Sequence, residues 1–224
     1  MSEWIIDGSG TAQPTVEVLR HEVRHGAIRR GRRPRVAIRM LDMVVHNNRR
    51  WFRDASIRID VLVVHGGTND AEYAPQTFTF PRIADGDHLP IGDGGLLLFH
   101  GRPRWFLTMM VAVSRDRQGA APLTKLLGEL MTSEPAAQLQ AQTFALATGV
   151  PDPQMLGAAW QSALLMGNTM LATLSRETQS ASIGLYRNSW LGEQDGWAAG
   201  RHPERGLLKA QDVSFAFDIV AQAV

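Results

Sequence analysis

The segment His21-Glu22-Val23-Arg24-His25 carries the sharpest chemical pattern in the chain. On a helix, histidines at i and i+4 share a face and can bind one zinc ion, with the glutamate placed to polarise a bound water. The surroundings argue the other way. Arg20 precedes the first histidine, Arg24 sits inside the motif, Gly26 ends the segment, and no further histidine follows at the metzincin spacing. Residues 15–24 also fit a strand as well as a helix, and on a strand His21 and His25 would lie ~13 Å apart, too far for one metal. Zinc-dependent hydrolysis, with His21 and His25 as ligands and Glu22 as the catalytic group, is therefore the alternative expectation. A solvated polar segment is the main one.

Three further groups of residues have types suited to binding. Asp85, Asp87 and Asp93, with Asp70 in an earlier turn, lie in Gly-rich loops, where calcium takes its oxygen ligands. They lack the alternating acidic run of a dedicated calcium loop, and Asp and Gly are ordinary turn residues. Arg29, Arg30, Arg32, Arg33 and Arg35, with Arg49, Arg50 and Arg53, form a basic cluster suited to phosphates, anionic lipid or an acidic protein. Only Trp51 and Phe52 could stack on bases, so nucleic acid is an unlikely partner. The stretch from Tyr186 to Lys209 carries Tyr186, Arg187, Trp190, Trp197, Arg201 and His202 among several glycines. Tryptophan and arginine are enriched where proteins meet partners, so this stretch and the arginine-rich turn are the expected docking surfaces. Ser189 and His202 show no triad or nucleophile-elbow context.

From Ala136 to Ser175 the only charge is Asp152, and Pro153 to Ser175 holds 23 residues with none. That length reaches across a bilayer, but Gln154, Gln161, Ser162, Asn168, Thr169 and Thr173 make it too polar for insertion. A buried helix, packed on a sheet or in an oligomer interface, is the expected role. Leu156, Trp160, Leu164 and Leu171 mark one face, and Gly157, Ala158 and Gly167 permit close approach.

The remaining elements must position these residues. Ile57, Ile59, Val61 and Val63 alternate with Arg58 and Asp60 as a half-buried strand does. Val36, Ile38 and Met40 share one side of another strand, whose phase slips near Leu41-Asp42-Met43 as at a β-bulge. Phe78 and Phe80 mark a third strand, and Pro81 places it at a sheet edge. Leu96–Phe99 and Arg104–Ser114, joined by Gly101-Arg102-Pro103, read as a hairpin. Leu123, Leu126, Leu127 and Leu130 have helical spacing. Ser133 with Pro135, and Asp152 with Pro153, read as the starts of two further helices. Strand character returns at Ser182–Tyr186 and at Val213–Val220, and the last strand should pair with the first half of the chain.

The expected fold is mainly β (α+β): an antiparallel β-sandwich of roughly seven to nine strands with an inserted helical block. In architecture alone it loosely resembles a C2-type sandwich. Residues 1–224 fit one domain, with a β core over 1–118 and 180–224 and the helical insertion over 120–178. The net charge of +1 conceals a division: residues 1–60 hold 12 arginines against 7 acids, a net of +5, and the rest of the chain carries −4. The absence of cysteine excludes disulfides and thiolate chemistry. The first residues lack the basic and apolar regions of a secretory signal, and the chain is expected in the cytoplasm. The main functional expectation is a non-catalytic protein-interaction or assembly module without a cofactor, binding a protein partner or itself. The alternatives are the zinc hydrolase and a C2-like peripheral membrane or calcium-binding module that meets anionic lipid.

Overall fold

Alternation makes Ile57, Ile59, Val61 and Val63 one face of a strand, and all four are fully buried. The computed structural model describes residues 4–5, 34–50, 53–68, 70–116, 123–148, 153–178, 181–192 and 196–222. Its elements in chain order are β1 (Trp4–Ile5), β2 (Arg35–Val45), β3 (Ala55–Gly66), β4 (Ala71–Ile83), β5 (Leu96–Gly101) and β6 (Arg104–Arg115). These are followed by α1 (Leu123–Met131), α2 (Glu134–Thr148), α3 (Pro153–Thr178), β7 (Ser182–Leu191), β8 (Gly200–His202), β9 (Leu208–Ala210) and β10 (Val213–Gln222). The strands form two antiparallel sheets. The first has the order β1-β7-β6-β3-β4; the second has the order β5-β2-β10-β8, with β9 also pairing with β10.

The sheets face each other across a core that includes Ile38, Met40, Val61, Val63, Met109, Val111, Phe215 and Phe217. The first sheet is largely apolar on its other face as well, around buried Arg58, Asp60, Thr108 and Arg187. There Leu62, Val64, Phe106 and Met110 pack with Leu126, Leu139, Ala159, Ala163 and Met166 of the helices. The near-continuous apolar run of β6 reflects this double cover, since a strand buried on both faces has no polar side to alternate with. The molecule is thus a mainly β sandwich with a helical third layer. The helical block occupies the connection between β6 and β7, which are antiparallel neighbours.

Several expectations hold. The slip in β2 is a bulge: Ala216 pairs with Asp42 and Phe217 with Met40, leaving Leu41 as the extra residue. β4, with Pro81, is an edge strand, and β10 returns to pair with β2. Gly167 is a point of close approach, since a Cβ there would lie 3.0 Å from Arg187 Cδ and 3.2 Å from Met110 Sδ, whereas Gly157, expected to be another, has nothing within 4 Å of a Cβ.

Two expectations need correction. β5 and β6 are not a hairpin. β5 pairs with β2 in the second sheet, whereas β6 pairs with β3 and β7 in the first. The Gly101-Arg102-Pro103 turn carries the chain between layers: β5 buries Leu98 and Phe99 while leaving Leu97 and His100 exposed, whereas β6 needs apolar cover on both faces. Nor does a loop begin at Tyr186, because β7 continues to Leu191. On α3 the face turned to the sheet consists of Ala159, Ala163 and Met166; the stripe of Leu156, Trp160 and Leu164 is only partly buried. Among the described residues, no helix is long and apolar enough to cross a membrane.

Candidate functional site

The histidine motif (His21, Glu22, His25) and the arginines Arg29, Arg30, Arg32 and Arg33 lie outside the described residues. The loop acids Asp85 and Asp87 serve the loops. Asp85 Oδ1 accepts the Asn48 backbone N–H at 2.6 Å and Asp87 Oδ2 accepts that of Ala84 at 2.8 Å, so both carboxylates hold loop backbone. Neither they nor Asp93 belong to a group of three or more acidic or histidine side chains able to hold a metal, and the described residues contain no such group.

The aromatic residues expected at a docking surface are core residues. Tyr186 and Trp190 are each 1% exposed, and Trp197 is buried. Tyr186 packs edge-on to Phe215 at 5.1 Å, and His202 stacks on Phe217 at 5.0 Å while its Nε2 donates to the Ala198 carbonyl at 2.6 Å. Side chains so enclosed cannot meet a partner unless the sandwich opens. Extending the strand pattern beyond Tyr186 puts Tyr186, Asn188 and Trp190 on the inward face. Arg201 alone of that set is exposed, and it donates to the Pro203 and Gly206 carbonyls, both at 2.8 Å, closing its own turn.

The two outer surfaces differ in chemistry. The outer side of the second sheet and its turns carry several paired charges, beside Leu97, which is 47% exposed. Arg39 bridges Asp218 at 2.5 Å, Arg49 bridges Asp212 at 2.6 Å, and His88 meets Asp42 at 2.8 Å. His46 Nε2 and Ser214 Oγ share a hydrogen bond of 2.7 Å. The two side chains, a hydroxyl and an imidazole, come from residues 168 positions apart, a pairing that sequence spacing could not reveal. Ser214 is buried and sits mid-sheet between Val44 of β2 and Lys209 of β9. An acyl-transfer site also needs N–H donors aimed at a developing oxyanion, and the backbone here is engaged in strand pairing. The arrangement suits a surface polar contact better than catalysis.

On the helical surface the exposed positions of α2 after its first turn are Ala137, Gln138, Ala141, Phe144 and Thr148. Among the described side chains of α3 the exposed ones are Gln154, Gln161, Leu165, Asn168 and Ala172. None is charged. Phe144 is 54% exposed and Leu165 47% exposed. The apolar faces beneath hold the helices to the sheet, and Ser162 Oγ donates to Gln142 Oε1 at 2.6 Å to tie α3 to α2.

Buried polar groups lie where the helices meet the first sheet. Arg187, on the helix-facing side of β7, is 5% exposed. Its Nη1 donates to the Leu164 carbonyl at 3.0 Å and to Asn168 Oδ1. No carboxylate among the described residues pairs with it, and burial holds its guanidinium below the ordinary arginine value. On the same face, Thr108 and Ser189 hydroxyls share a hydrogen bond of 2.8 Å. Comparison of the chain with protein-family models, curated proteins and solved structures finds no match.

Proposed function

We propose that the protein is a non-catalytic assembly module whose α2–α3 surface packs against the same surface of a second copy. The observation that carries this reading is an outer face of α2 and α3 on which Glu134, at the start of α2, is the one charge among the exposed described residues, and on which Phe144 and Leu165 stand half-exposed. In a two-fold interface each patch meets itself. Around the axis a charged patch would place like charges together, and the paired charges of the second sheet would have to be desolvated. The helical face incurs neither cost. Helices of 15 and 26 residues, side by side, present on the order of 600 Å² of outer face per copy from helix dimensions. That approaches the ~800 Å² per partner of a standard interface.

Sedimentation velocity over a concentration series tests the proposal. The expected result is a reversible monomer–dimer equilibrium, or a dimer throughout, that persists at high salt because no ion pairs hold it. A monomer at every concentration would overturn it.

A further inference from the structure

Among the described residues, Arg187 is a buried cation without a counter-charge. Arg187 commits Nη1 to Leu164 and Asn168, but its Nε is buried with no acceptor. A buried charge of this kind is costly unless paired. A second donor, on α3, has the same deficiency. Trp160 lies one helical turn before Leu164 and two before Asn168, so it continues the stripe of α3 that Arg187 touches, and its Nε1 is also buried without a partner. The Thr108–Ser189 hydroxyl pair shares the sheet face of Arg187: Ser189 is two residues from Arg187 on β7, and Thr108 is its cross-strand partner on β6. Arg187 Nε on β7 and Trp160 Nε1 on α3 are therefore buried N–H donors without acceptors, with two hydroxyls that can donate or accept on the same sheet face.

We infer that the seam between α3 and β7 is a binding site for a small oxyanion, a carboxylate or a phosphate, anchored by Arg187. The planar guanidinium suits such groups, which accept two parallel hydrogen bonds. Trp160 and the hydroxyl pair would supply further donors to the same group. A cation kept at a cost to stability, where a methionine would pack, is characteristic of a residue retained for binding.

The test is thermal unfolding of the full chain in sodium phosphate, sodium acetate and sodium chloride at matched ionic strength, with phosphate binding followed independently by titration calorimetry. The expected result is a saturable rise in Tm with phosphate or with acetate, but not with chloride. Which of the two acts distinguishes a phosphate ligand from a carboxylate one. Arg187→Met should match or exceed the wild type in Tm without added anion and lose the saturable response; Trp160→Phe should keep the fold and weaken the response several-fold. A wild type without saturable response to either anion, and without calorimetric binding, would overturn the inference. So would an Arg187→Met protein that retains the response. Should Arg187→Met fail to fold, Arg187→Lys replaces it: full retention of affinity would contradict a bidentate anchor, and a several-fold loss at unchanged Tm would support it.

Discussion

Replacing Arg58 with methionine should be among the most damaging single changes in the first sheet. Arg58 and Asp60 stand two residues apart on the same face of β3, the face opposite Ile57 and Ile59. Asp60 is 3% exposed. Its Oδ1 accepts Arg58 Nε at 3.0 Å, Arg58 Nη2 at 2.9 Å and the Thr77 hydroxyl at 2.6 Å, and its Oδ2 lies 2.8 Å from Arg58 Nε. Arg58→Met leaves that carboxylate with the Thr77 hydroxyl alone. Breaking a buried pair by removing one partner costs roughly 3–5 kcal/mol. For a chain of this size each kcal/mol moves Tm by ~2–4 °C, so a fall of about 10 °C is expected. Urea unfolding followed by circular dichroism measures the loss directly. Arg58→Met/Asp60→Leu removes both charges and should recover most of it, because a well-packed apolar pair often matches a buried ion pair. A loss below about 1 kcal/mol in the single variant, or a double variant as unstable as the single one, would refute this account of the pair.

Three further outcomes follow from local geometry. His65 is buried edge-on to Phe99 at 5.1 Å, and burial lowers its pKa from the ordinary 6.5 despite the Glu72 carboxylate 3.8 Å away. The folded state then binds fewer protons than the unfolded one, so stability is full above that ordinary value and falls as pH drops through it. His65→Gln should flatten the dependence of the urea midpoint between pH 7.5 and 5.5, with those values chosen to lie about one unit either side of the ordinary histidine pKa. Gly184→Ala should destabilise by about 1–3 kcal/mol through overpacking, since its Cβ would fall 2.5 Å from Val213 Cγ2 and 3.1 Å from the Ala210 carbonyl; Val213→Ala in the same chain should restore part of the loss in a thermal melt. Arg49→Ala, which breaks an exposed bridge to Asp212, should cost less than about 1 kcal/mol by the same assay.

The sandwich was legible where polar and apolar side chains alternate along a strand, even in β3, whose polar Arg58 and Asp60 are themselves buried, or where backbone chemistry left a mark. The alternation in β3 identified its inward face, the phase slip in β2 located the bulge at Leu41, and Pro81 identified an edge. Legibility failed where tertiary cover removes the pattern. β6 is apolar on both faces because helices lie over it, so nothing in its sequence says which neighbour it pairs with. The turn before it looked like a hairpin because three residues can also connect two layers. Tyr186 and Trp190 looked like binding residues because the glycines after them suggested a loop, whereas continued alternation with Asn188 carries the strand inward to Leu191. The helical block was recognised as an unusual uncharged segment, but which of its faces meets the sheet was decided by small residues, Ala159 and Ala163, rather than by the leucine stripe. The His46–Ser214 pair and the clasp of Arg187 on Leu164 and Asn168 join distant parts of the chain, and no spacing rule could anticipate them.

Sedimentation velocity of the Phe144→Glu/Leu165→Glu double variant beside the wild type tests the assembly reading most directly. Both side chains are about half exposed, so the substitutions should leave Tm within a few degrees while placing two charges on each copy of the proposed interface. The account predicts that the wild type self-associates and that the folded double variant is monomeric at the same concentrations. Equal self-association of the two proteins, or a monomeric wild type, would contradict it.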